Sequence, residues 1–407
     1  MTNRENAAAA HWLVVAEEAF VPTDSGGRVE SLNLLRAAAA AGVRLQVVVP
    51  GLAASEEAAH LAALPTAGLM GIPRRTGWRS HARMAPYLFA SRPLSPRLID
   101  RLRAAHNGDP YSAVVSISFR VAHLGSALAD AFDLPLLVRP HNVESEYFSE
   151  LARGMRFPGN LPYLFESWKL RRAEVAIHAS PRVALFADIA AGDATRRGQL
   201  TTTPVMHVPP FLPHPAATPA AAPRVRRAGA GTVLFLGSLD NVNNQGGIRW
   251  FAEECWPQLR VACPGADLHV VGRRAPEDLH AALKAAGSRV TVDAPDVAPH
   301  LAEADVFVNP VRRGAGVNIK MVEAMAAGLP VVTTTVGARG LHWRDGQHLV
   351  VADDPTEFRA AVTLLLEDPE RRARLAAAGQ RFVTEELDGV RQISRLLSSL
   401  PSRPSRA

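Results

Sequence analysis

Two ionisable side chains three positions apart, Lys320 and Glu323, sit in the most informative stretch of this 407-residue chain. Residues at that spacing share one face of a helix. Of 45 Lys and Arg residues only Lys169, Lys284 and Lys320 are lysines. A lysine in a chain that otherwise uses arginine offers a compact ammonium suited to a phosphate. Glu323, when ionised, only accepts hydrogen bonds and can take both hydroxyls of a ribose. Just ahead of them, Gly314 and Gly316 lie in a basic loop, 312–318, together with Val317 and Asn318. A glycine loop that feeds a helix N-terminus presents free backbone N–H groups and the positive end of the helix dipole, which suits an anion. The same residues would also make a surface Lys–Glu pair on an ordinary βαβ unit, and the pattern alone favours neither reading.

The elements that would hold these residues are legible in order. Residues 306–308 read as a buried parallel strand. A compact helix over 319–327 is closed by Gly328 and Pro330, and a second strand follows to 335. Two further polar clusters follow expected strands. Gly26 and Gly27 stand after a strand over 12–16 and open a helix that runs to about 41. Arg139, His141, Asn142 and Glu144 follow a strand over 134–138. The carboxyl ends of strands are where open α/β sheets bind ligands. Asn142 also reads as a helix cap, and Glu144 and Glu146 as ordinary acidic residues of a first helical turn.

Elsewhere in the first half, strands are expected over 45–49, 113–118, 175–179 and 205–208. Helices are expected to end near 132, to cover 166–173 and to begin at Ser180-Pro181. Residues 209–230 are rich in Pro, Ala and Arg and lack apolar periodicity, which makes them a linker. The rhythm then restarts with strands over 233–236, 268–271, 290–292, 306–308, 331–334 and 349–351. A helix is expected over 245–261, a long helical region over 364–387 and a frayed basic tail over 398–407. Asp354, before Pro355, reads as a helix cap rather than a metal ligand. Strands alternating with helices mean βαβ units with parallel sheets. The division is 1–210 for the first domain, 211–230 for the linker, 231–385 for the second domain and 386–407 for a terminal helix and tail.

Composition bounds the partners. With 47% hydrophobic and 21% charged residues the chain reads as soluble and globular. No apolar run has the length of a membrane span, and the N-terminus lacks a signal-peptide layout. Cys255 and Cys263 form neither a metal spacing nor a disulfide framework, which fits a reducing cytoplasm. The net charge of +6 comes from scattered arginine, which argues against nucleic acid. Residues 74–92 mix five arginines with Trp78, Tyr87 and Phe89. That mixture fits peripheral contact with the inner membrane face, an acceptor pocket or a solvated insertion.

The segment Glu323-Ala-Met-Ala-Ala-Gly-Leu-Pro-Val-Val resembles the nucleotide-sugar site of retaining glycosyltransferases of the GT-B type, family 4. The family carries another Glu before this one; here that position is Ala315. The chain resembles a branch that reads Gly314, Gly316 and Lys320 ahead of Glu323. Arg139-Pro-His141-Asn142-Val-Glu144 resembles the family's motif in its acceptor-side domain. The resemblance covers most of the chain, from Gly26 to about Glu386. It implies two Rossmann-like parallel-sheet domains facing across a cleft, with the acceptor on the N-terminal domain and a nucleotide sugar on the C-terminal one. It implies sugar transfer with retention from a nucleoside-diphosphate sugar, UDP- or GDP-linked, to a glycan, lipid-linked or small-molecule hydroxyl, with no cofactor and no metal at the chemical step. His141 would meet the sugar, and Lys320 and the 314–318 backbone the diphosphate. Glu323 would hold the ribose. Gly26, Gly27, Arg139, Asn142, Gly237, Ser238 and Arg273 would line the substrates. The family's diphosphate lysine after Gly237 is missing, since 243–245 read Asn-Asn-Gln. Two other readings stay open: a non-catalytic sugar-nucleotide-binding subunit and a sugar-nucleotide epimerase of the same fold.

Overall fold

The computed structural model describes residues 10–23, 25–75, 84–153, 155–211, 229–314 and 317–401. The chain divides into two units, one of residues 1–23, 27–214 and 389–407 and one of 24–26 and 215–388. The first unit holds β1 (His11–Val15), β2 (Arg44–Pro50), β3 (Ala67–Ile72), β4 (Ala113–Ile117), β5 (Leu136–Arg139), β6 (Val183–Asp188) and β7 (Val205–His207). They form one parallel sheet in the order β3-β2-β1-β4-β5-β6-β7. Strand β1 shows why the sheet is covered on both faces. Trp12 and Val14 enter one core cluster and Leu13 and Val15 another, because successive side chains of a strand point to opposite faces.

The second unit holds β8 (Ala230–Leu236), β9 (Gly265–Gly272), β10 (Arg289–Val292), β11 (Val306–Asn309), β12 (Val331–Thr333) and β13 (Val350–Val351). Its parallel order is β10-β9-β8-β11-β12-β13. In both sheets the winding reverses beside the first strand, between β1 and β4 and between β8 and β11. The connections on either side of such a reversal leave in opposite directions, which opens a crevice at the strands' carboxyl ends. Each unit is therefore Rossmann-like, as expected.

Several local expectations are corrected. Residues 175–179 are not a strand but the end of helix Leu161–His178; Val175 is 64% exposed on its outer face. The strand is β6, one segment later, and Ser180-Pro181 form the turn into it rather than a helix start. The region 364–387 is two helices, Pro355–Glu367 and Pro369–Glu386. Pro369 has no N–H with which to continue the ladder, and the Asp368 side chain caps the second helix by accepting from Arg371 N at 2.8 Å. The helix expected over 245–261 opens earlier, as Val242–Trp250 capped by Asn241, and passes through a π turn, Phe251–Cys255, into Trp256–Ala262. Asp354 does cap its helix, accepting from Thr356 N and Glu357 N at 2.8 and 3.3 Å.

Of the basic–aromatic stretch 74–92, residues 76–83 lie outside the described residues, and part of the remainder turns inward. Arg92 is buried and donates to the carbonyls of Glu17 at 3.1 Å and Leu88 at 2.9 Å. Residues 212–228 of the expected linker also lie outside the described residues. At the C-terminal end, the expected terminal helix is Gly389–Ser399, which runs two residues into the expected tail and buries Ile393 and Leu396 in the first unit's core. No described helix is long and apolar enough to cross a membrane.

Candidate active site

In the second unit the predicted residues converge where the winding reverses. Strand β8 ends at Leu236, and Gly237 turns the chain there. A Cβ on Gly237 would come 2.9 Å from Asn244 Nδ2, so a side chain would push that amide away. Asn244 Nδ2 donates to the Ser238 carbonyl at 2.9 Å and its Oδ1 accepts from Lys320 Nζ at 2.7 Å. The ammonium also lies 4.6 Å over the Phe235 ring. Asn244 thus binds the Gly237–Ser238 turn to the lysine of helix Ile319–Ala326. The ammonium beside Asn244 therefore comes from a different helix.

The loop into that helix is shaped by Gly314, whose φ of +129° is left-handed and disfavours any side chain. Its carbonyl accepts from Arg339 at 3.3 Å. Val317 and Asn318 are half-buried, and Asn318 Nδ2 donates to the Gly337 carbonyl at 3.0 Å rather than capping its own helix. Ala315 and Gly316 lie outside the described residues. Ser238 Oγ donates to Asp240 at 2.5 Å, and the half-buried Arg273 offers its carbonyl to Leu239 N at 2.8 Å.

Electrostatically this cluster is unfinished. Burial pulls the Lys320 ammonium down to about 7. Burial also pushes the Glu323 carboxyl up to about 7. Among the described residues no ion pair joins the two. A surface Lys–Glu pair is therefore not what the sequence encodes. Each group is held partly desolvated with no opposite charge, an arrangement common where a ligand is to supply it.

The first unit places His141 just beyond β5, against the ends of β1 and β4. Its Nδ1 lies 3.9 Å from Glu17 Oε2, and its buried Nε2 has no hydrogen-bond partner. A methyl on Gly27 would come 4.0 Å from Nδ1, so the first turn of the opening helix borders the ring. Burial, helped by Arg139 and Arg120, drops the imidazole to about 4 against the pull of Glu17, so it is neutral at physiological pH.

Glu17 and Arg120, which the sequence did not single out, surround it together with Glu144. Arg120 pairs with Glu17 at 2.8 Å and with Glu144 at 3.1 Å. Burial alone would raise Glu17, but Arg120, His141 and Arg92 bring it down to about 2. Burial wins at Glu144 and lifts it to about 7 despite Arg120. Glu144 is thus a buried, charge-coupled group and not an ordinary first-turn acid. Ser118, between β4 and Arg120, holds a φ of +90°, a strained conformation for a non-glycine residue of the kind that clusters at functional sites. The available signal was position, since Glu17 and Arg120 both follow the ends of strands.

Arg139 is corrected outright. Its guanidinium is fully buried, pairs with Glu30 at 2.5 Å, donates to the carbonyls of Val208 and Pro209 at 3.0 Å each and lies 4.6 Å over Phe211. Those contacts join the first helix to the exit of β7 and leave nothing with which to meet a ligand. Asn142 stays half-buried beside His141. Gly26 and Gly27 open helix Gly26–Ala40 as expected. Among the described residues one trio, His269, His300 and Glu303, brings possible metal-ligand atoms within 4.8 Å of one another. Arg289 already holds both oxygens of Glu303 at 3.2 Å, and Thr291 holds His269 Nε2 at 2.9 Å.

Residues 230–368 match the family model for glycosyl transferases group 1. The chain is 32% identical over 163 residues to the GDP-mannose-dependent monoacylated alpha-(1-6)-phosphatidylinositol monomannoside mannosyltransferase of Corynebacterium glutamicum, covering 36% of this chain and 42% of that one. It is 26% identical over 302 residues to the D-inositol 3-phosphate glycosyltransferase of Thermomonospora curvata, covering 69% of each. The chain spans 41–44% of the length of the first three curated relatives it matches. Among solved structures, Anabaena Alr3699/HepE in complex with UDP and glucose superposes with a TM-score of 0.65 at 17% identity, over 96% of this chain and all of that one. The second unit thus matches the group 1 glycosyl transferase model over residues 230–368, and the chain as a whole shares the GT-B fold.

Proposed function

We propose that the chain transfers a sugar, with retention, from a nucleoside-diphosphate sugar to a hydroxyl acceptor. The observation that carries this is the desolvated Lys320 ammonium, fixed by Asn244 at the reversal between β8 and β11 with no carboxylate to neutralise it. In the reaction the bond from the anomeric carbon to the diphosphate oxygen breaks and one to the acceptor oxygen forms on the same face. The acceptor proton passes to the departing phosphate. The developing charge falls on Lys320 and the backbone entering helix Ile319–Ala326, electrostatic work for preorganised donors. Glu323 takes the ribose hydroxyls. His141, neutral and with a free Nε2, is assigned to the transferred sugar. UDP- and GDP-linked donors are the first to test, and a glycan, lipid-linked or small-molecule alcohol the acceptor classes. The relatives' names support the reading, two of them being a GDP-mannose-dependent enzyme and a structure holding UDP and glucose.

Glu17 and Glu144 beside His141 favour one second reading, since a sugar-nucleotide epimerase of this fold needs carboxylates near the sugar. Calorimetry with UDP, GDP, dTDP, ADP and NAD, on wild type and Glu323→Ala, tests the donor site. One nucleoside diphosphate should bind and Glu323→Ala should weaken it. Incubation of the matching sugar nucleotide then separates the two chemistries. Release of nucleoside diphosphate with retention at the anomeric carbon supports transfer, and an epimerised sugar supports the other reading. No nucleotide binding at all overturns the donor-site assignment.

A further inference from the structure

Helix Leu161–His178 is inside out. Glu166, Lys169 and Glu174 are buried. Lys169 Nζ pairs with Glu166 at 2.6 Å, and Glu174 accepts from Ser145 N and Oγ at 3.1 and 2.6 Å. Leu170 and Ile177 are buried with them, but a larger set of apolar residues faces outward. Leu161, Leu164, Phe165 and Trp168 are 43–48% exposed, and Phe157 in the preceding loop is 77% exposed. Positions 161, 164, 165, 168, 172 and 175 repeat at helical spacing on one stripe. A surface helix ordinarily turns the opposite faces. A contiguous exposed apolar stripe marks an interaction surface.

Charge identifies what would cover it. Both carboxylates of the helix, Glu166 and Glu174, point inward, so its outer face carries apolar and guanidinium groups only. Arg171 and Arg172 are exposed about one turn beyond Trp168, and Arg172 lies 5.1 Å over the Trp168 ring. Arg156 is exposed beside Phe157. A second copy of the chain would bring guanidinium groups onto a helix face that has no carboxylate to receive them. An anionic bilayer meets both halves of the pattern, because phosphates take the arginines while the boundary region takes Leu, Phe and Trp.

We infer that this helix face docks on an anionic lipid bilayer. The surface is distinct from the stretch 74–92, and the inference does not rest on the proposed transferase chemistry. The test is co-sedimentation of the full chain with vesicles of phosphatidylcholine, alone or mixed with phosphatidylglycerol, at low salt. Wild type should bind the anionic vesicles about tenfold or more over the neutral ones. Arg171→Glu/Arg172→Glu should lose about thirtyfold or more of that binding. Phe165→Ser/Trp168→Ser should lose it as well, while melting and nucleotide affinity stay unchanged. Equal binding to both vesicles, or no binding, overturns the inference. So does a wild-type dimer in light scattering that Phe165→Ser/Trp168→Ser abolishes, because a second copy is then the occupant. Loss of nucleotide binding with vesicle binding intact would remove the transferase reading alone.

Discussion

In the second unit Lys320 and Glu323 stand near each other without counter-ions, whereas in the first unit Glu17, Arg120 and Glu144 neutralise one another around His141. Both clusters sit at the same point of the same topology. The difference lies in who supplies the opposite charge. An isolated desolvated ion costs stability until a ligand completes it. A closed network of ions spends its charge internally and holds a neutral side chain in place. The Lys320 cluster is left electrostatically open, whereas around His141 the ions answer one another and only the imidazole Nε2 is left open.

The largest effect should come from opening the closed network. Arg120→Met leaves Glu17 and Glu144 buried without their cation, and breaking such a pair costs about 3–5 kcal/mol. Urea unfolding should show that loss, while Arg120→Lys recovers part of it. A change within experimental error would mean that the network does not hold His141.

Next comes the open cluster. Lys320→Met should lower the transfer rate about 10²–10³-fold, as for loss of one preorganised oxyanion donor. Yet the ligand-free protein should melt higher, by about 2–4 °C if about 1 kcal/mol of desolvation is relieved. Arg120→Met and Lys320→Met should therefore move stability in opposite directions, and a shared direction would break the comparison.

The pH dependence sharpens it. Lys320 falls from the ordinary lysine range to about 7, so its contribution to folding is present above the unfolded pKa and lost as pH falls to about 7. Glu323 rises to about 7, so its contribution is present at acid pH and lost as pH rises through about 7. Both penalties are felt together near neutrality. Diphosphate binding should recharge Lys320 and ionise Glu323. Calorimetry in buffers of different ionisation heat should then show proton uptake above pH 7 and release below it. Each direction approaches about one proton at a pH well away from the midpoint. Lys320→Met should remove the uptake and Glu323→Gln the release.

The smallest effect is expected at Gly27. Gly27→Ala adds a methyl about one van der Waals contact from His141 Nδ1. It should alter activity by less than about tenfold, a loss of under ~1.4 kcal/mol in the transition state, with stability unchanged. Steady-state rates beside a melting curve would check it.

What was legible in the sequence follows from the range of the forces involved. The strand–loop–helix–strand around Lys320 is local, so apolar runs, Gly328 and Pro330 give it away, and both Rossmann-like sheets follow from the repeated rhythm. The lysine's partner was not legible, because Asn244 lies 76 positions earlier and only the neighbouring of β8 and β11 brings it near. Glu17 and Arg120 were hidden for the same reason, coming from the ends of different strands, and so was the coupling of Glu144 to them. Arg139 misled because a motif position says nothing about which way a side chain turns, and this one turns into the core. The 175–179 segment misled because its apolar residues belong to a helix whose outer face is apolar, against the usual pattern.

The helix Gly389–Ser399 has a consequence for how the protein is made. Ile393 and Leu396 share a core cluster with Trp12, Leu35 and Phe211. A ribosome emits those three long before the two that complete the cluster. The first unit begun is thus the last to close, and its sheet waits with part of one face uncovered while the whole second unit is synthesised and folds.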